Sequence, residues 1–407
     1  MASLLKWAGA ATRRAPSPPL RFPTTGFDVI PDFQVVEEEL SEGFERGLYY
    51  PVHIGEVFAS KYQVVGKLGY GVTSTVWLAR DLQAHQHVTL KVYIRDGRPE
   101  EEFEIYQRLD QGNHSHPGYT YIRTALEVFK IPSPGGEHAC LVQMPMWENM
   151  RCLRDRTPDG VFSEQLLRVT LRQLFSALDY LHTECNLVHT DIKADNILTR
   201  IADASVLDAF VAAEMEHPSP RKTVDGVTIY ETRELKAPKY FGNSVLGDFG
   251  SAVRGDVERN HDACPEFYRA PEIMIKTAWS YPVDIWTVGI MIWDLFEGRF
   301  LFRGQDPDGK GYSTRAHLAE VIGLLGTPPL DLIQKGVRSS EFFDDDGKWI
   351  AEIPTAEATS LEMSETRLEG ENREMFLQMM RGMLTWRPED RKTAKQMLDE
   401  PWLKNVE

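Results

Sequence analysis

The sequence predicts an α+β protein with a small β-rich lobe followed by a larger helical lobe. Residues 61–93 consist of short runs rich in Val and Thr between Gly or polar residues, a pattern typical of strands and hairpin turns. The run "SEQLLRVTLRQLFSALDYLH", which starts at Ser163, has apolar residues at helical spacing behind a capping serine. The second half of the chain is mainly helical in pattern, so strands and helices are segregated along the chain.

The sequence predicts an N-terminal tail before the two lobes and approximate boundaries for all three parts. The first 27 residues contain Lys6, Arg13, Arg14 and Arg21 and no acidic residue, a composition that suits a mitochondrial transit peptide or a disordered basic tail. We expect residues 1–40 to be such a disordered or targeting tail. The small lobe, with a leading segment, would span residues 41–146, with a helix over residues 98–109 and a strand pair near residues 124–144. Residues 147–407 would form the helical lobe.

Composition narrows the class of partner. The 407 residues are 42% hydrophobic and 26% charged, which is typical of a globular chain. A formal charge of −16 argues against direct binding of nucleic acid and favours a basic protein or peptide, although it also serves solubility alone. Four cysteines without a CxxC pair indicate a reducing compartment, cytoplasmic or nuclear. The most apolar helix candidate, at residues 285–293, is too short to cross a membrane. We expect a monomer.

Two segments near the N-terminal side suit phosphate binding. The run "LGYGVTSTV" from Leu68 places Gly69 and Gly71 in a turn between two strands, where backbone amides can approach phosphate oxygens. A Gly-rich hairpin turn without function has the same appearance. Lys91 follows in "VTLK", and a lysine is held for phosphate contact when a helix glutamate pairs with it. Glu104 is our candidate for that glutamate, with Glu101 and Glu102 as alternatives.

The most specific string is "LVHTDIKADNIL", residues 187–198, which contains Asp191, Lys193 and Asn196. Further along, "LGDFG" contains Asp248, and "YRAPE" ends at Glu272. Arg391 in "RPEDRKTA" is the expected buried partner of the Glu272 carboxylate, an arrangement in which loss of either charge is costly.

These motifs, in this order, resemble the eukaryotic protein kinase family over approximately Gly55 to Trp402. The resemblance implies a bilobal protein kinase fold, with ATP and Mg²⁺ as cofactors. It implies that Asp191 accepts or orients the substrate hydroxyl proton and that Lys193 offsets charge on the transferred phosphoryl group. It also implies that Lys91 holds the α and β phosphates and that Asn196 and Asp248 hold magnesium. The nucleotide contacts that it implies are Leu68, Gly69, Gly71, Ser74, Val76, Thr89, Lys91, Gln143, Met144 and Met146.

A narrower resemblance is to the kinases that phosphorylate SR splicing proteins. The leading run "YYPVHIGEVFASKYQVVGKLGYG" is similar to theirs, Thr190 stands where most kinases have Arg, and 52 positions separate Asn196 from Asp248. The strings "LLGTPP" and "FYRAPE" are similar to the wider group with cyclin-dependent and mitogen-activated kinases. This resemblance implies phosphorylation of serine in Arg/Ser-rich proteins and a spacer at about residues 199–244. The spacer is either a surface excursion without a role or a docking or localisation element.

Two further expectations follow from departures within the motifs. Since Thr190 replaces the Arg that pairs with an activation-loop phosphate, we expect constitutive activity. Pro265, Thr89 and Gln143 differ from the usual residues of the substrate and adenine sites, but none of them removes a catalytic group. A pseudokinase-type interaction scaffold and a small-molecule phosphotransferase are the alternative functions, against which the intact catalytic residues and the "YRAPE" and "LLGTPP" strings argue.

Overall fold

A computed structural model describes residues 15–95, 97 and 99–404. In chain order the strands are β1 (Val57–Phe58), β2 (Tyr62–Gly71), β3 (Ser74–Asp81), β4 (Gln86–Tyr93), β5 (Glu127–Ser133), β6 (Gly136–Gln143), β7 (Met146–Asn149), β8 (Leu187–Val188), β9 (Ile197–Ile201), β10 (Arg221–Val224), β11 (Val227–Tyr230), β12 (Phe241–Leu246) and β13 (Val253–Arg254).

The α-helices are α1 (Glu42–Glu45), α2 (Pro99–Gln111), α3 (Met150–Asp155), α4 (Glu164–Thr183), α5 (Ser205–Glu216), α6 (Pro271–Met274), α7 (Pro282–Phe296), α8 (Thr314–Leu325), α9 (Leu330–Lys335), α10 (Leu361–Ser364), α11 (Gly370–Arg381), α12 (Ala394–Met397) and α13 (Pro401–Lys404). Single 3₁₀ turns occur at Glu37–Leu40, Pro117–Tyr121, Ala194–Asn196, Glu266–Tyr268, Ser339–Glu341 and Pro388–Asp390. Strands dominate the first part and helices the second, which confirms the predicted α+β class.

The described residues divide into two compact units. The first lies within Met1–Gly97, Ala125–Pro145 and Asp203–Lys239, and the second within Arg98–Thr124, Met146–Ala202 and Tyr240–Glu407. The predicted lobes, 41–146 and 147–407, are continuous in sequence, whereas these units are not. Helix α2 groups with the helical unit, and most of the predicted spacer groups with the β-rich unit.

A six-stranded antiparallel sheet organises the first unit, in the order β1-β2-β3-β4-β6-β5. Its buried face carries Val64, Trp77, Val88 and Leu90, because alternate residues of a strand point to the same side. Tyr230, which lies on β11 in the spacer, joins this core with its ring edge-on to Trp77 at 5.8 Å. The spacer is therefore packed on the sheet, unlike a loose surface excursion.

The N-terminal segment also packs on the first unit. The Ser17 amide donates to the Leu82 carbonyl at 2.7 Å, and the Leu20 amide donates to Oε1 of Gln63 at 2.8 Å. Glu38 is buried. The expectation of a disordered tail is thus corrected for residues 15–40, which make ordered backbone and side-chain contacts. The transit-peptide alternative stays a prediction, since residues 1–14 lie outside the described residues.

Two helices form the centre of the second unit. Helix α4 begins after Ser163, whose Oγ accepts the Leu166 amide at 3.3 Å, as the capping pattern predicts. Helix α7 has Pro282 at its first position, where the missing amide costs nothing, and Val283 to Phe296 are all buried. Among the described residues no helix is both long and apolar enough to cross a bilayer.

Candidate active site

Buried Asp284 fixes the backbone of the segment that carries Asp191. Its Oδ2 accepts the His189 amide at 2.8 Å and its Oδ1 accepts the Thr190 amide at 2.9 Å. Thr190 has φ +66°, a left-handed conformation that these two bonds hold in place. Asp284 is not among the site residues predicted from the sequence. A buried acid in the first turn of an otherwise apolar helix was the available signal, because an unpaired carboxylate is costly there.

Asp191, Lys193 and Asn196 form one hydrogen-bonded cluster. The Lys193 ammonium lies 3.0 and 2.8 Å from the two carboxylate oxygens of Asp191. The Asn196 amide nitrogen donates to the Asp191 carbonyl and to its Oδ2, both at 2.8 Å. The Ala194–Asn196 turn brings these groups together within six residues. The carboxylate is therefore held in one orientation beside a positive charge, as a group that must orient a hydroxyl requires.

Asp248 is joined to this cluster through its neighbours in the chain. Strand β12 pairs with β9, and the Gly247 amide donates to the Asn196 carbonyl at 2.9 Å. Phe249 is fully buried against Tyr106 and His189, at ring distances of 5.7 and 5.1 Å. Asp248 itself has φ +57°. This backbone turn is fixed on both sides of the carboxylate.

Asn196 and Asp248 supply the kind of ligands that Mg²⁺ takes. Both bonds of the Asn196 amide nitrogen go to Asp191, which leaves its carbonyl oxygen for a cation. Within the described part of the chain no group of three or more His, Cys, Asp or Glu could hold a metal by itself. Magnesium is usually held by one or two protein oxygens together with substrate phosphates and water, so the pair suits it.

The helix glutamate differs from our prediction. Glu104 is exposed on α2, whereas Glu102 is buried on the same helix. Glu102 lies against Gly250, where an added Cβ atom would be 3.4 Å from Oε2 of Glu102 and 3.5 Å from Oδ1 of Asp248. We therefore replace Glu104 by Glu102 as the candidate that acts near Asp248.

The predicted nucleotide contacts lie mainly in the first unit. Gly69 and Gly71 end β2, and Lys91 on β4 is opposite Val76 on β3. The Thr89 hydroxyl donates to the Gln143 carbonyl at 3.2 Å, so the side chain that replaces the usual alanine is used within the sheet. The other contacts are placed as follows: Leu68 on β2, Ser74 buried on β3, Met144 exposed after β6, and Met146 on β7 in the second unit.

A pocket of about 500 Å³ opens beside the catalytic cluster in the second unit. Its polar wall includes Asp191, Lys193 and Asp262. The side chain of Asp262 is 60% exposed and lies 3.7 Å from the ammonium of Lys276. The remaining lining residues are Thr190, Ser251, Val253, His261, Ala263, Cys264, Pro265, Arg269 and Trp279. Pro265, one of the departures noted in the sequence, therefore lies in the same pocket as Asp191.

The expected pair between Glu272 and Arg391 is confirmed. Both side chains are fully buried, and the guanidinium donates to the two carboxylate oxygens at 2.5 and 2.8 Å. This bidentate geometry is the strong form of an arginine–carboxylate contact. It attaches the end of the "YRAPE" segment to the turn that precedes α12.

Comparison with known proteins agrees with this arrangement. The protein kinase domain family matches residues 62–403. A serine/threonine protein kinase of Aspergillus fumigatus is 41% identical over 396 residues, which cover 96% of both chains. Serine/threonine-protein kinase SRPK of Physarum polycephalum is 29% identical over 91% of this chain and 92% of its own length. SRSF protein kinase 3 of Mus musculus is 24% identical over 90% of each chain.

Proposed function

The chain belongs to the protein kinase family and is a serine/threonine protein kinase, and we propose that it phosphorylates serines flanked by arginine. The observation that carries this proposal is the pocket in which Asp262 lies beside the Asp191 cluster. Exposed carboxylates bind guanidinium in bidentate geometry, and a chain of charge −16 attracts a basic peptide. The names of the relatives from Physarum and mouse support the same substrate class.

In this proposal the catalytic cluster works by positioning and charge. Asp191 accepts the proton of the substrate hydroxyl, and Lys193 balances negative charge at the same point. Asn196 and Asp248 would hold Mg²⁺, which when bound would neutralise negative charge on the phosphates of ATP. Lys91 contributes a phosphate contact from β4, and Glu102 acts beside Asp248 in the second unit.

The test compares three substrates. We expect kcat/KM for an Arg-Ser repeat peptide to exceed that for the same peptide with lysine in place of arginine by about fivefold or more, because lysine cannot make a bidentate contact. A generic basic protein serves as the third substrate. Equal values for the arginine and lysine peptides would contradict the substrate proposal and leave kinase activity intact.

Matched variants of the catalytic loop test the role of Asp191. We expect Asp191→Asn to lower kcat by about 10²- to 10⁴-fold, since it removes the proton acceptor. Asp195→Asn is the control, because Asp195 lies in the same loop but pairs with Arg151 at 2.9 Å instead of joining the cluster. Retained activity in Asp191→Asn, or an equal loss in Asp195→Asn, would contradict the role of Asp191 as proton acceptor.

We further propose that the enzyme is active without phosphorylation of its activation segment, residues 248–272. The Thr190 hydroxyl donates to the Ser251 carbonyl at 2.8 Å, and β13 pairs with β8. The hydroxyl-bearing residues of this segment are Ser251 and Tyr268, and Tyr268 is buried with its hydroxyl 3.1 Å from Asp294. Bacterially produced enzyme should keep its activity after phosphatase treatment, and complete loss would refute the proposal.

A further inference from the structure

The tip of the Gly-rich hairpin accepts a hydrogen bond from Tyr49, which precedes the first strand of the sheet. The Tyr49 hydroxyl lies 2.8 Å from the Gly71 carbonyl oxygen and 3.1 Å from the Val72 carbonyl oxygen. These carbonyls belong to the turn between β2 and β3. Side chains at the end of β2 and in the turn are open to solvent, with Tyr70 48% and Val72 76% exposed. The turn therefore has little packing of its own, and a contact from Tyr49 can decide its conformation.

The segment that carries Tyr49 is firmly anchored. Leu48 is buried, and its carbonyl accepts the Arg95 amide at 2.9 Å directly after β4. The Leu48 amide donates to the Gly43 carbonyl at 3.0 Å. Gly43 also gives the aromatic ring room, because an added Cβ atom would lie 3.3 Å from Cε2 of Tyr49. The hydroxyl is thus presented from a fixed support.

The contact with the Tyr49 hydroxyl also determines the direction of backbone amide donors in the turn, because of peptide geometry. In a trans peptide unit the carbonyl and the next amide point in opposite directions. With the Gly71 and Val72 carbonyls turned toward Tyr49, the Val72 and Thr73 amides point away from it. The Ile94 amide fixes the following unit by donating to the Thr73 carbonyl at 2.9 Å. Successive amides directed to one side are the donors with which backbone turns bind phosphate oxygens.

We propose that Tyr49 is a positioning residue for nucleotide binding. Its hydroxyl holds the Val72 and Thr73 amides in the direction that phosphate requires, and it touches neither the nucleotide nor the protein substrate. Its effect is therefore specific to the phosphate groups of the ligand. The segment before the kinase motifs thereby contributes to ATP affinity through the Gly-rich turn.

The test removes one oxygen atom and uses the neighbouring tyrosine as control. Tyr49→Phe keeps the ring, and Tyr50→Phe removes a hydroxyl that donates to Oε1 of Glu56 at 2.9 Å. Calorimetric titration in magnesium buffer would measure the affinities for a non-hydrolysable ATP analogue, ADP and adenosine. We expect Tyr49→Phe to weaken the ATP analogue and ADP by about 2- to 10-fold, the range for one lost hydrogen bond, and to leave adenosine unchanged.

Hydrogen exchange supplies a second measurement that a merely structural role would not produce. With the ATP analogue bound, the Val72 and Thr73 amides should exchange faster in Tyr49→Phe than in wild type, because their hydrogen bonds to phosphate are weaker, while the melting temperature and the exchange of the β3 and β4 amides stay at wild-type values. The proposal is overturned if Tyr49→Phe binds the ATP analogue as tightly as Tyr50→Phe, or if adenosine weakens equally. Because no peptide is present, neither result depends on the Arg-Ser substrate proposal.

Discussion

Each compact unit buries a basic side chain, and the two are paired in different ways. In the first unit Lys67 is fully buried on β2, with its ammonium paired to Glu37 at 2.6 Å and to Glu38, and 3.1 Å from the Tyr230 carbonyl. In the second unit Arg391 makes a bidentate pair with Glu272, and its guanidinium lies 4.9 Å from the centre of the Trp286 ring. Arg391 also donates to the Pro282 carbonyl at 3.2 Å and to the Thr385 carbonyl at 3.1 Å, so both cations join several segments and they differ in how they bind carboxylate.

The difference follows from the geometry of the two cationic groups. An ammonium has three donors that rotate freely, so Lys67 can join β2, the Glu37–Leu40 turn and the spacer at once. A guanidinium is planar and suits one carboxylate in a fixed orientation, which gives Arg391 and Glu272 a defined register. Lys222 repeats the first pattern, since it pairs with Glu39 at 2.7 Å and donates to the Gln34 carbonyl at 2.6 Å.

The largest effect should come from breaking the arginine pair. Arg391→Met leaves the Glu272 carboxylate buried without its partner, and we expect the free energy of unfolding to fall by about 3 to 5 kcal/mol. Arg387→Met is the control, because Arg387 pairs with Asp331 at the surface and should lose less than about 1 kcal/mol. Urea unfolding of both variants measures the difference. Equal losses would show that burial does not distinguish the two pairs.

The lysine cluster should be less sensitive. In Lys67→Met the carboxylates of Glu37 and Glu38 lose their cation, but their side chains are 10% and 9% exposed and can gain contact with water. We expect a loss of about 2 to 3 kcal/mol, with Lys130→Met, which breaks an exposed pair with Glu137, as the control. If Lys67→Met lost more free energy of unfolding than Arg391→Met, the lysine cluster would be the more sensitive of the two and the prediction would be wrong.

The arginine pair could be predicted from the sequence, and the lysine cluster could not. Glu272 and Arg391 lie in strings of defined spacing that resemble a known family. Glu37, Lys67 and Tyr230 lie in three separate segments, two of them outside those strings, and only folding brings them together. Asp191, Lys193 and Asn196 were predictable for the opposite reason, because a local turn alone joins them.

The change of candidate on α2 follows from helix geometry. Glu104 was preferred because its sequence context, E-I-Y-Q-R-L, resembles the corresponding helix of the kinase family. The buried positions are Pro99, Glu102, Tyr106 and Leu109, which follow the 3.6-residue period of an α-helix. Counting back from Tyr106 with that period selects Glu102. This signal was present in the sequence.

A matched pair of substitutions on α2 sharpens this correction, with a smaller expected effect. Glu102→Gln should lower kcat/KM by about tenfold or more, which corresponds to about 1.4 kcal/mol, because it removes a buried charge near Asp248. Glu104→Gln changes an exposed carboxylate two residues away and should leave kcat/KM within about twofold of wild type. Steady-state kinetics with the same peptide compare them. Equal losses would restore Glu104 as a candidate.

The smallest effect concerns acid stability of the second unit. Burial, assisted by the nearby Arg269 charge, lowers the pKa of His317 to about 3. The unfolded chain therefore binds a proton below pH 6.5 that the folded chain does not, so stability is full above pH 6.5 and falls as pH decreases toward 3. Between pH 7.5 and 5.5 this histidine should lower the free energy of unfolding by about 1 kcal/mol. His317→Gln should flatten that slope in urea unfolding at the two pH values, and exposed His114→Gln should not. A slope unchanged in His317→Gln would place the acid sensitivity in other groups.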